Sequence, residues 1–288
     1  MHTSLDKIVS RIIKLLAAIT ALLLVFITLF IARESIPAFK QIGVADFVFG
    51  SKWYPVAFVG EPSYGIFNMI VATLYVSAIA VAIALVVGVG AAVFLSCQAN
   101  QRQRNLLYPF IDLLAGIPSV VYGFVGLMVI VKCFENLGRS AGESVLAGGI
   151  LLSIMILPFM ISACSETMLK HREAYEKTSS ALGVSKWYMV TELILPASRK
   201  SILVSMALAI GRAMGETMAV MMVIGNSTKF PTLLGKAQTI PALIALEMGM
   251  VEVNSLHYHA LYAAGLVLML LLFAINAIIM SVKQKVLE

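Results

Sequence analysis

The stretch EAYEKTSSALGVSKWYMVTELILPASRK, Glu173 to Lys200, is a polar island between two strongly apolar runs. Glu173 to Leu182 contains good helix formers, Gly183 can take the left-handed conformation that closes a helix, and Ser185 can cap a second one. That second helix is expected to end before Pro196. Trp187, Val190 and Ile194 then fall at helical spacing on one face, with Lys177, Lys186, Arg199 and Lys200 supplying positive charge nearby. Two short helices meeting at an angle make a knob suited to docking a soluble partner. The plainer alternative is an ordinary amphipathic connector between two spans.

Outward from the island, composition sets the class. The 288 residues are 60% hydrophobic and 12% charged, far below the roughly 25% charged residues of soluble domains. The chain therefore reads as an all-α polytopic membrane protein. Its net charge of +6 comes with no basic patch interleaved with aromatics, so nucleic acid is not a partner. Cys97, Cys133 and Cys164 are scattered in or beside apolar runs and suggest neither a disulfide framework nor a metal site.

Six spans are expected, at about 15–32, 66–96, 118–131, 145–165, 201–224 and 259–280, with a cytoplasmic loop at 166–200. Together they make a single membrane domain over 1–288. The run Leu15 to Ile31 follows Lys7, Arg11 and Lys14 directly and reads as an uncleaved anchor. Residues 33–65 read as an external loop whose Phe47, Phe49, Trp53, Tyr54 and Tyr64 favour the membrane boundary. Residues 132–144, with Lys132, Glu135, Arg139 and Glu143, form another. In the second span Ala80, Ala84, Gly88 and Ala92 make a stripe of small residues that lets another helix approach closely. Gly116 and Pro118 should break the run before the third, and Pro158 should kink the fourth. Residues 226–250, interrupted by Pro231, Gly235 and Pro241, are expected either to re-enter the membrane or to lie on it. With this arrangement 13 Lys and Arg face one side, 7 the other, and Arg212 lies within a span. The excess places both termini and the 166–200 loop in the cytoplasm.

The intramembrane stretch with chemistry is AIGRAMGET, Ala209 to Thr217. On a continuous helix Arg212 and Glu216 share a face and can partly neutralise each other. Charge at membrane depth is costly unless it faces a bundle interior or a wet path. Ala207, Gly211, Gly215 and Ala219 form a second stripe for helix packing beside it. Arginine suits a tetrahedral oxyanion because its rigid fork donates two hydrogen bonds to two oxygens. The plainer reading is an ion pair that fixes helix register.

Absent motifs narrow the choice. No phosphate-binding loop occurs, so any ATP is hydrolysed on another chain, and no hydrolase or zinc-protease signature is found. His257 and His259 read as solvated boundary residues without a metal, and Glu247 and Glu252 as wet.

The spacing of the island resembles the cytoplasmic loop of permeases of ABC importers: Gly183, then Leu193, Leu195 and Pro196 at ten, twelve and thirteen residues on. The Glu-Ala-Ala slot of that loop falls instead on Lys177, Thr178 and Ser179, with Glu176 one position early. GRAMGET at 211–217, LLAGIPSVVYG at 113–123 and DFVFGSKWYP at 46–55 are similar to permeases of the bacterial phosphate importer, closer to PstC-like than to PstA-like subunits. That resemblance implies a six-helix type I ABC-importer permease fold in the bacterial cytoplasmic membrane. It implies a PstA-like sister permease, a PstB-like ATPase dimer carrying ATP and Mg, and an extracytoplasmic PstS-like phosphate-binding protein. No cofactor is expected on this chain. Carried over, the substrate path holds Arg212, Glu216 and Thr217. ATPase coupling falls on Glu173, Glu176, Ala181, Leu182, Gly183, Trp187, Leu195 and Pro196, and helix packing on Gly211 and Gly215. Another oxyanion, such as sulfate or molybdate, is the alternative within transport. A membrane enzyme would need a catalytic cluster that the sequence lacks, and a stand-alone channel leaves the 166–200 loop without a purpose.

Overall fold

The computed structural model describes residues 2–56, 61–138 and 141–285, so Arg139 lies outside the described residues. Helix α1 (His2–Ile42) does not stop at the first polar residues; it runs on to Gly43, whose φ of +87° ends it. The expected loop at 33–65 is thus helical to residue 42. A short α2 (Val44–Phe49) leads into a hairpin, β1 (Trp53–Tyr54) with β2 (Ser63–Tyr64), in which Trp53 pairs with Tyr64.

Helix α3 (Phe67–Val93) passes into a wider π turn at Phe94–Gln98. Helix α4 (Gln101–Gly116) starts with reciprocal caps between Asn100 and Gln103. Helix α5 (Ser119–Val125) continues through a π turn into α6 (Lys132–Asn136). Helix α7 (Val145–Ala181) is a single rod of 37 residues, about 55 Å long. It extends sixteen residues beyond the expected span because nothing between Glu166 and Ala181 breaks a helix. Pro158 lies inside it without ending it.

The chain then turns through α8 (Lys186–Tyr188), a π run at Met189–Ile194 and α9 (Leu195–Ala197), and bends by 58° into α10 (Arg199–Gly215). Helices α11 (Met218–Ile224), α12 (Ile240–Glu247) and α13 (Leu256–Lys285) complete it. Among the described residues five helices are long and apolar enough to cross a membrane, six if the bent pair Lys186–Gly215 is one span.

The centre is α3 against α7, which run parallel. Ala80, Ala84 and Ala92 are fully buried, and a Cβ on Gly88 would lie 3.1 Å from Met160 Cβ, as the stripe of small residues requires. Gly149 answers from α7, where a Cβ would meet Ile79 Cβ at 2.9 Å. Leu151, Ile156, Val220 and Ile224 fill the space between α7 and α11. Residues 226–250 are partly exposed, as at Phe230 and Met250, and partly packed into the bundle. They fold back so that Ala237, Ile240, Ala242 and Leu243 are fully buried against α3 and α13, and Ile240 N donates to Thr73 Oγ1 at 3.0 Å. Cys97, Cys133 and Cys164 are free thiols.

Candidate functional site

Two joints bring the predicted residues together. At the first, α7 ends in a double backbone closure: Val184 N donates to Ser179 O at 2.9 Å and Gly183 N to Ser180 O at 3.2 Å, with Gly183 at φ +69°. Ser185 Oγ then accepts from Tyr188 N at 3.2 Å and starts the return element. This element does not end before Pro196. Leu195 N donates five residues back to Val190 O, so the helical register is already changing where the proline withholds its N–H, and Pro196 is absorbed into α9.

The expected stripe splits. Val190 and Ile194 are buried against Ala92, Cys164 and Met168, whereas Trp187, at the tip, stays 69% exposed beside Tyr188 and Leu182. Glu173, Ala181 and Gly183 are exposed too, and Leu195 and Pro196 are half-buried. Glu176 turns back onto α7 and receives Arg172 through two nitrogens, at 3.2 and 2.8 Å.

At the second joint the expected continuous helix is absent. Helix α10 stops at Gly215, Glu216 is extended at φ −70° and ψ 125°, and α11 begins at Met218. Arg212 and Glu216 therefore do not share a helical face and form no ion pair. Each instead complements a helix end: Arg212 sits in the last turn of α10, and Glu216 Oε1 accepts from Ala219 N, 3.3 Å away, in the first turn of α11. Thr217 Oγ1 donates to Gly215 O at 3.3 Å. Arg212 is exposed, and a Cβ on Gly211 or Gly215 would meet nothing within 4 Å. The helix packing expected at these two glycines is thus not supplied by the described residues of this chain. Ala219 does pack, against Gly123.

A second break stands beside it. Ile117 and Pro118 are extended between α4 and α5. Gly123 meets Ala219 and Gly126 meets Val223, so α5 and α11 run in parallel and the two breaks come to one level. Tyr122, in α5, is buried. Its hydroxyl donates to Leu114 O at 2.9 Å.

The opposite end of the molecule is held by polar contacts that the sequence did not announce. Trp53 Nε1 reaches both oxygens of Glu247 at 3.1 and 3.0 Å, and His257 Nε2 lies 2.7 Å from Glu247 Oε2. His259 Nδ1 lies 2.8 Å from Glu34 O. The His257, His259 and Glu247 side chains are 13–25% exposed, so they are held in polar contacts and partly covered while still reaching solvent. Burial pushes the Tyr64 phenol beside them up. Glu252 is exposed, as expected.

Residues 84–287 match the family described as binding-protein-dependent transport system inner membrane component. The chain belongs to this family. A probable ABC transporter permease protein, YqgH of Bacillus subtilis, is 33% identical over 99% of this permease and 94% of its own length. The phosphate transport system permease protein PstC of Xylella fastidiosa is 35% identical over 83% of the permease and 78% of the relative. A probable PstC of Methanocaldococcus jannaschii is 30% identical over 89% and 87%. The fold is also that of the methionine ABC transporter MetNI: a chain in an inward-facing MetNI structure aligns with a TM-score of 0.60 at 15% identity, covering 77% of the permease and 97% of that chain. This permease is thus a type I importer permease, a transport subunit that crosses the membrane several times.

Proposed function

We propose that this permease imports inorganic phosphate as one half of an intramembrane path, driven by ATP that a separate subunit hydrolyses. The observation that carries the reading is Arg212, a guanidinium on an open helix face with no carboxylate partner among the described residues. It stands where two half-helices stop. A fork of this kind can hold two oxygens of a passing anion while the nearby negative end of α10 keeps the well shallow. The relatives named for phosphate transport support the choice of anion.

In this reading a PstA-like sister permease covers the open face at Gly116, Gly211 and Gly215, where an added Cβ would meet nothing within 4 Å among the described residues. A PstB-like ATPase dimer, with ATP and Mg, receives the knob through Glu173, Leu182, Gly183 and Trp187. A PstS-like phosphate-binding protein docks at the end closed by Trp53, Glu247 and His257. Both termini are cytoplasmic, following the excess of Lys and Arg on that side.

Uptake of radiolabelled phosphate by membrane vesicles holding the assembled complex tests the anion. Saturable, ATP-dependent uptake that sulfate and molybdate do not compete away is expected; uptake of either of those anions in place of phosphate would reassign the substrate. Gly183→Val forces a β-branched residue into a left-handed position, and should cut copurification of the ATPase while leaving membrane insertion normal.

A further inference from the structure

The C-terminal end of α3 is fastened in a way that neither the anion path nor the exposed knob explains. Ser96 is fully buried, and the last carbonyls of its π turn have no helical partner. Arg104, from the first turn of α4, donates through Nε to Leu95 O at 2.7 Å and through Nη2 to Ser96 O at 2.5 Å. Arg172, from the far part of α7, donates through Nη1 to the same Ser96 O at 2.9 Å. Two guanidinium groups on one carbonyl repel each other. Glu176 offsets that repulsion by taking the other edge of Arg172, and the negative end of α3 adds to it.

The clamp lies directly behind the knob. Cys97 and Gln98, the next residues of the π turn, share a cavity of about 370 Å³ with Lys186, Trp187, Met189 and Val190. Met189 and Val190 are themselves packed on Ala92 and Met168. A push on the knob therefore meets the end of α3 first. Without the two arginines that push would be taken up by the π turn, whose carbonyls would be free to re-pair.

We infer that Arg172, set by Glu176, is a positioning residue for energy coupling: it ties the end of α3 to α7 so that displacement of the knob is carried into the membrane helices. The inference rests on the reading of residues 166–200 as the ATPase-docking element.

The test uses the whole transporter in proteoliposomes, reading phosphate moved per ATP hydrolysed. In Arg172→Gln the complex should assemble and hydrolyse ATP at near-normal rate, with transport per ATP lower by about tenfold. Glu176→Gln, which keeps every group of Arg172 but frees its far edge, should lower the ratio less. The exchange Arg172→Glu with Glu176→Arg restores an ion pair yet leaves position 176 one turn beyond reach of Ser96 O, so it should not recover the ratio. An unchanged ratio in Arg172→Gln, or full recovery by the exchange, overturns the role. Loss of assembly in both single variants assigns the clamp to folding and overturns it equally. Absence of any ATPase bound to the unaltered permease overturns the docking reading itself, and this inference with it.

Discussion

Two helical runs of this permease are broken at the same level, and they are broken by different means. Between α4 and α5 the cause is covalent. In an unbroken helix Leu114 O would accept from the N–H of residue 118, but Pro118 has none, and the Tyr122 hydroxyl at 2.9 Å, beside Ile117 N at 3.3 Å, takes its place. Between α10 and α11 no proline stands. The helix stops at Gly215 and its two ends are met by charge, Arg212 on one side and Glu216 on the other. The first break satisfies itself within the chain. The second leaves Arg212 exposed, with no carboxylate partner among the described residues. A closed break sets geometry, and an open one offers chemistry.

The largest effect that can separate them is on transport. Arg212→Gln should lower phosphate uptake on the order of a hundredfold, the scale of one lost donor to an oxyanion, with normal amounts of assembled complex. Arg212→Lys should recover little, since it keeps charge and loses the fork. Near-normal uptake by the double variant Arg212→Gln, Glu216→Gln would make the two breaks equivalent and end the comparison.

A smaller effect is expected at the closed break. Tyr122→Phe leaves the Leu114 carbonyl with only the longer bond from Ile117 N at 3.3 Å and should destabilise the permease by about 1 kcal/mol, read as a lower unfolding temperature in detergent, with uptake per complex changed much less than by Arg212→Gln. An equal loss of uptake at unchanged stability would give the tyrosine a chemical role. Glu216→Gln weakens a charge at a helix start and should cost about 0.5–1 kcal/mol. The smallest and sharpest measurement is a cycle: in a Pro118→Ala background the new N–H can reach Leu114 O, so Tyr122→Phe should cost clearly less there. Identical costs in both backgrounds would show that the hydroxyl does not replace the missing donor.

The closed break was legible in the sequence because Gly116 and Pro118 announce it. The open one was not: Arg212, Ala213, Met214 and Glu216 are all good helix formers, and a helix drawn through them pairs the two charges that the structure keeps apart. The stripe from Ala80 to Ala92 marked a face for close helix approach, and the structure supplies α7 as the helix that uses it. Gly183 likewise marked the end of α7. What lay beyond reach were contacts between residues far apart in the chain, such as Arg172 with Ser96 or Trp53 with Glu247. No local period encodes these.

One consequence follows from the unbroken length of α7. From Arg172 to Ala181, where the helix ends, it advances nine residues, about two and a half turns, over about 13.5 Å. The clamp and the end of the helix therefore lie on opposite sides of one rod, as two teeth cut on one shaft. Their relation is a phase. Adding one residue between them would swing the knob through about 100° while leaving every side chain in it intact, so the count of residues here carries information that their identities do not.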